Sequence, residues 1–306
     1  MSRVAAGPRP TKPFLAYSQW DWVPVVLGLI HFAGVIALVV GFESLSWPTR
    51  LGFALLYSVS IAWSINSISH NLIHNPYFSS DFLNHLFSML LSLTLGFSQV
   101  MYHLVHNRHH SGNMDRPGAD GNTIDFISIY KHGQGGAPEN AFKYFLMSYF
   151  RDDPVAIYKA IKARQPTEAK WAIAEVVSVI ALYGALALYD WRAIVCLLPF
   201  YWLGHSLSAV NGYYEHYRAN PDQPIAWGVS SYNWLYNVTW MNNGYHAEHH
   251  YRPKVHWTKM AELHREIAEE QKKAGVHVIA WPHVLGKHPA HTWMQEQILD
   301  VCSGLR

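Results

Sequence analysis

The sequence predicts an all-α, polytopic membrane protein with about four transmembrane helices and a cytoplasmic helical cap around a histidine-rich site. Three observations predict it. Half of the 306 residues are hydrophobic and only 14% are charged, where soluble domains carry about a quarter. Several apolar runs reach the roughly 20 residues that cross a ~30 Å hydrocarbon layer. Histidine, with 20 copies against 21 acidic residues, gathers into three short boxes near the ends of those runs. The same composition excludes other classes. A net charge of +2 without a basic run offers nucleic acid no electrostatic footprint. Cys196 and Cys302 lie outside any CxxC pair and make no disulfide framework, so metal chemistry here has to be histidine chemistry. The first twenty residues hold no apolar stretch of signal-peptide length.

In chain order, the first span covers about 22–42 and contains a single titratable group, His31. The second, about 50–72, continues to His74; 25 residues at ~1.5 Å each carry it past the lipid. Polarity rises at that end, with Asn66, Ser67, Ser69 and His70. The stretch 83–104 is also apolar, but crossing the bilayer would put His70 and His74 on one side and the later histidines on the other. It is therefore read as an interfacial helix or a re-entrant pair broken near Gly96. A second hairpin spans 171–189 and 193–212, turning at Asp190 to Arg192 and overshooting toward His216. The apolar patch 141–150 (AFKYFLMSYF) suits the membrane surface. Residues 258–275 read as a helix with Met260, Leu263 and Ile267 on one face and Gly275 as its stop. Only Arg50 and Arg192, of 23 basic residues, fall in the outer connections, so the termini and the large loops are expected to be cytoplasmic. Without repeats or linkers, residues 1–306 form one domain.

HNLIH places His70 and His74 one turn apart, on one helix face. HNRHH gives His106, His109 and His110; HAEHH repeats that spacing as His246, His249 and His250. Protonated imidazoles packed this closely would repel one another, whereas metal coordination keeps them neutral. Eight nitrogens are too many for one ion and suit two, with positions left open. Imidazole accepts iron, zinc, copper or nickel, so spacing does not choose the metal. A histidine-lined metal transporter is the alternative from another class, but its ligands belong near the midplane in repeated halves.

The boxes HNLIH, HNRHH and HAEHH, with an apolar non-spanning stretch between the first two, resemble those of the integral-membrane fatty acid desaturase and hydroxylase superfamily over roughly residues 20–260. That resemblance implies two iron ions on the cytosolic side, dioxygen as cosubstrate, and the eight box histidines as ligands. NGYYEHYR (211–218) is similar to the NYxEHYG segment of the membrane alkane hydroxylases, which points to His216 as the ninth ligand. Asn211 stands one residue too far from His216, and Arg218 replaces the glycine. His205 is the fallback ligand; His103 is expected to support its box, and Glu215 and Glu248 to orient neighbouring ligands or to lie idle at the surface. The histidines from His256 to His291 lack ligand spacing and are read as surface. The implied reaction is oxygen-dependent desaturation of a fatty acyl or lipid chain, with hydroxylation and oxidative decarboxylation to an alkene as alternatives that begin with the same hydrogen abstraction. The sequence has no GxGxxG unit after a strand, no haem attachment motif and no iron–sulfur cysteine set. Electrons must then come from another protein, which the resemblance implies to be of the ferredoxin, rubredoxin or cytochrome type.

Overall fold

The computed structural model describes residues 13–112, 115–117 and 122–286; His288, His291 and Cys302 lie outside them. The fold is helical, as expected. Helix α1 (Trp22–Gly41) carries His31, whose ring bonds the Ser60 hydroxyl at 2.9 Å. Helix α2 (Trp47–Ser64) has Pro48 in its first turn, where the missing N–H costs nothing. It passes through a π-helical turn, Ile65–Ser69, into α3 (His70–His74), so 28 residues run on as one rod. At ~1.5 Å per residue that rod is about 42 Å long and outreaches the hydrocarbon layer.

The stretch expected to be an interfacial helix or a re-entrant pair is bent. Helix α4 (Asp81–Leu95) and helix α5 (Gln99–His110) meet at 96°. Gly96 ends α4 with φ +75°, a conformation that costs an L-residue a clash, and a Cβ there would also lie 2.7 Å from the Tyr201 hydroxyl. The elbow is tied from outside. Glu175, fully buried, accepts from the Ser88 hydroxyl (2.5 Å), the Ser98 hydroxyl (2.6 Å) and the Val100 amide (3.0 Å).

Two short helices follow, α6 (Ala141–Met147) and α7 (Pro154–Arg164), and then α8 (Pro166–His216). The last is two helices. Asp190 has non-helical φ −149° and ψ 87°, and its carboxylate caps the amides of Arg192 and Ala193. The adjacent carbonyls of Thr94 and Leu95 accept from Tyr183 and His205. Those partners would stand ~33 Å apart on a straight helix, so the chain doubles back at Asp190. The resulting bundle buries Ile61, Leu95, Ala193 and Leu197, while Leu29, Ile30, Leu56, Val177 and Ile180 face outward, as lipid-facing residues do.

Beyond α8, a cap is built from α9 (Trp234–Thr239), α10 (His246–Tyr251), α11 (Met260–Ala274) and a two-stranded parallel ladder, β1 (Ser230–Ser231) with β2 (Val278–Ile279). Helix α11 has the expected apolar face and stops at Gly275.

Three expectations need correction. The late histidines are not all surface: His283 is fully buried between the Val229 carbonyl and the Tyr236 hydroxyl, His264 bonds Glu248, and His256 bonds buried Asp21. The segment after the third box folds back over it, a long-range event that local spacing does not report. His103, expected to support its box, is exposed on α5. Glu215 and Glu248 are buried rather than idle at the surface.

Candidate metal centre

The first pair of histidines is delivered by the π-helical turn. One extra residue in a turn rotates the rest of the helix about its axis, and such turns concentrate at functional sites. The second box stands on α5, aimed by the elbow; His216 ends α8; the third box is most of α10. These nine imidazoles meet in two groups. His70, His74, His106, His110 and His249 form one, and His109, His216, His246 and His250 the other, with the potential ligand atoms of each group within 4.8 Å of one another. The Nε2 atoms of His70 and His249, of His74 and His106, and of His109 and His216 are each 2.8 Å apart. The stacked rings of His110 and His250, with centroids 4.1 Å apart, join the two groups. His205 stands in neither; it packs on Tyr201 and Phe97 and bonds the Leu95 carbonyl.

The surroundings set which nitrogens carry protons. Asp125 accepts from His109 Nδ1 at 2.7 Å, which leaves the Nε2 lone pair pointing into the group. Asn243 Oδ1 does the same for His70 Nδ1 at 3.1 Å. The amides of Asn211 and Asn243 each donate to Glu215 at 2.7 Å, so Glu215, Asn243 and His70 form one chain from the end of α8 to the first box. Asp115 lies 3.6 Å from His216 Nδ1. Glu248 acts on the far face of α10, where Ser230, Tyr232 and His264 all bond its carboxylate and fix that short helix to the cap.

Burial, followed by repulsion from neighbouring imidazoles, holds His246, His249 and His250 well below the ordinary histidine range. They are neutral at pH 7, the form that binds a metal. His250 Nε2 is buried without a hydrogen-bond partner. A cage of neutral nitrogens sharing one focus, with their outer nitrogens held by carboxylate and amide groups, fits a transition-metal ion in each group.

Sequence reasoning missed Asp125, Asp115, Asn243 and Asn211 as partners. The clearest available signal was Arg218, which stands where the similar segment has glycine and adopts φ 73°; the backbone there keeps a glycine-like turn directly after His216.

Comparison with known proteins decides the class. The family model described as fatty acid desaturase matches residues 45–282. The chain belongs to the fatty acid desaturase family. Among its relatives, "Sphingolipid delta(4)-desaturase DES1-like" of Oryza sativa subsp. japonica is 26% identical over 258 residues, covering 81% of this chain and 74% of that protein. "Sphingolipid delta(4)-desaturase DES1" of Homo sapiens is 24% identical over 279 residues, covering 86% and 78%. "Sphingolipid delta(4)-desaturase" of Schizosaccharomyces pombe is 26% identical over 267 residues, covering 80% and 69%. No solved structure matches. The protein is a membrane lipid desaturase, an oxidoreductase.

In this desaturase a cavity of about 460 Å³ opens onto both histidine groups, touching His70 and His106 of one and His109, His216 and His246 of the other. It runs between the π-helical turn, α5 and the second half of α8 toward Phe97, Tyr201 and His205. Its walls mix polar residues, Asn66, Ser208 and Glu215 among them, with the apolar Ile65, Met101, Val105 and Ile157, and are mostly apolar. Such a lining suits an alkyl chain.

Proposed function

We propose that the desaturase introduces a double bond into the hydrocarbon chain of a membrane lipid of the sphingolipid class, using two irons and dioxygen. The single observation that carries this is the apolar cavity that opens onto both histidine groups. The desaturase names of the relatives support the lipid class, and imidazole-only donor sets are compatible with iron. His70, His74, His106, His110 and His249 would hold one ion, and His109, His216, His246 and His250 the other. Bound there, the irons supply reductive activation of dioxygen and removal of hydrogen from an unactivated C–H bond.

The chain's own residues do the rest. Asp125 and Asn243 fix the proton on the outer nitrogen of His109 and His70 and so aim both rings. The cavity walls hold adjacent methylenes against the site and keep bulk water away from them. Two hydrogens leave the chain; with dioxygen, two electrons and two protons they become two waters. Loss of the second hydrogen rather than oxygen insertion depends on how the walls place the second methylene, and the family assignment favours that outcome over hydroxylation or decarboxylation. The electrons would come from a separate ferredoxin, rubredoxin or cytochrome-type protein. With Arg50 and Arg192 alone in the outer connections, the histidine site and termini would face the cytoplasm.

Lipid mass spectrometry of cells with and without the protein tests the reading. Loss of two hydrogens from a sphingolipid chain is the expected product. A gain of one oxygen, loss of the carboxyl carbon, or no change in any sphingolipid would overturn it.

A further inference from the structure

The apolar patch at 141–150, which suits the membrane surface by composition, sits lower. Phe145 packs on Trp202 with ring centroids 5.5 Å apart, and Tyr149 packs on His205 at 5.2 Å and on Tyr201 at 5.8 Å. Those α8 positions are 11 to 15 residues before His216, or roughly 16–22 Å down the helix from the histidine site at 1.5 Å per residue. The segment thus runs beside a membrane-spanning helix at the depth of the lipid. Its two sides differ. Outward it presents Phe142, Phe150 and, at the start of α7, Val155, each more than half exposed. Inward, Tyr144, Ser148, Tyr149, Arg151 and Ile157 line the cavity, where the buried Ser148 hydroxyl has no hydrogen-bond partner. The outward face is continuous with the lipid-facing surface of α8, which identifies its occupant as acyl chains of the bilayer. The segment is closed at its base. Arg151 grips Glu139 through two nitrogens, at 2.5 and 2.7 Å, and so ties residue 139 to residue 151 across the intervening helix.

We infer that residues 139–155 form a lateral gate through which a lipid substrate passes from the bilayer directly into the cavity, latched by the Glu139–Arg151 pair. Only this thin segment separates the cavity from acyl chains on that side, and bilayer entry spares the chain a passage through water, where its apolar surface would be exposed. Arg151 holds the gate in register while the apolar outer face lets it tilt within lipid. The inference rests on the reading that the substrate is a membrane lipid, but its test needs no turnover, so the two can fail separately.

The experiment uses the full chain in phosphatidylcholine vesicles, with Cys196→Ala and Cys302→Ala, and a Ser148→Cys reporter inside the cavity. Two maleimides are compared, one on a sixteen-carbon alkyl chain dissolved in the bilayer and one small, charged and water-soluble. The lipid-borne reagent should label at least about tenfold faster, given its partitioning into the bilayer. Phe142→Glu with Phe150→Glu should bring the ratio down toward one. Arg151→Ala, which opens the latch without altering the apolar face, should speed lipid-borne labelling several-fold. Equal or faster labelling by the water-soluble reagent would show that the cavity fills from the aqueous side and would overturn the gate. So would a lipid-borne rate that neither set of substitutions changes.

Discussion

Glu175→Leu should destabilise the membrane-embedded half of the protein and disturb the histidine site above it. The side chain is fully buried and receives three hydrogen bonds, from Ser88, Ser98 and Val100, all at the elbow that turns α4 into α5. Leucine fills much of the space but leaves two hydroxyls and an amide without their acceptor. Each stranded donor costs about 1–3 kcal/mol in a protein interior, and less where it finds another partner inside the bilayer. Summed at the low end, the loss is about 3 kcal/mol. For a chain of this size that corresponds to roughly 4–6 °C in the unfolding midpoint. Glu175→Gln keeps one acceptor oxygen and should lose only about 1 kcal/mol. The damage should also reach the histidine site, because α5 carries His106, His109 and His110. Purified wild type, Leu and Gln variants are compared by thermal unfolding followed through tryptophan fluorescence, and by iron bound per chain. A Leu variant that unfolds at the wild-type temperature with its full iron would refute the idea that this carboxylate aims the second box.

Other predictions concern the site and its cap. His250→Ala should abolish turnover and lower bound iron while the protein stays in the membrane; retained iron and activity would mean the third box is not a ligand set. His283→Ala breaks the bonds to Val229 and Tyr236 and should cost about 2–4 kcal/mol of stability, with His283→Gln recovering part of it; urea or thermal unfolding in detergent reads this. Metal-free protein should lose stability on acidification. His246, His249 and His250 have folded-state values far below the ordinary 6.5, and burial lowers His283 to about 3. Above about pH 6.5 all are neutral in both states, and below it the unfolded chain takes up more protons, so stability falls by up to ~1.4 kcal/mol per pH unit for each. Asp115 and Glu215, raised by burial from 3.8 to about 6 and from 4.5 to about 7, work the other way, as do His109 and Asp152, whose values are also raised; they are outnumbered by the lowered histidines, which also include His74, His106, His110 and His216. An unfolding midpoint that stays flat or rises between pH 7.5 and 5.5 would contradict this sign.

What could be read in advance was whatever a single helix states locally. The three boxes declare themselves by i, i+3 and i+4 spacing. The overshooting second span followed from its length, and the bend at Gly96 from the need to keep all boxes on one side. Asp190, polar and next to Trp191 and Arg192, marked the hairpin. Partnerships between distant segments were not legible. Glu175 stands in an apolar run and gives no hint that its acceptors bind the elbow some eighty residues earlier. Asp125 lies in a loop with ordinary composition, and nothing local links it to His109. His283 looks isolated because its partners, Val229 and Tyr236, come from a stretch about fifty residues away. Hydrophobic periodicity reports which face of an element is buried, not what that face meets. Arg218 was the exception in which a mismatch carried information, since the φ of 73° is the reason a glycine would suit that place.

The proposed activity depends on nine histidines in two groups holding two irons that convert a lipid chain to its unsaturated product. The decisive experiment reconstitutes the purified protein in vesicles with a sphingolipid substrate and a reducing partner, and measures iron per chain together with product mass under air and under nitrogen. Close to two irons are expected, one for each histidine group, with a product lighter by two hydrogens that forms only when oxygen is present. One tightly held zinc with no oxygen uptake, or a product that forms equally well under nitrogen, would contradict it.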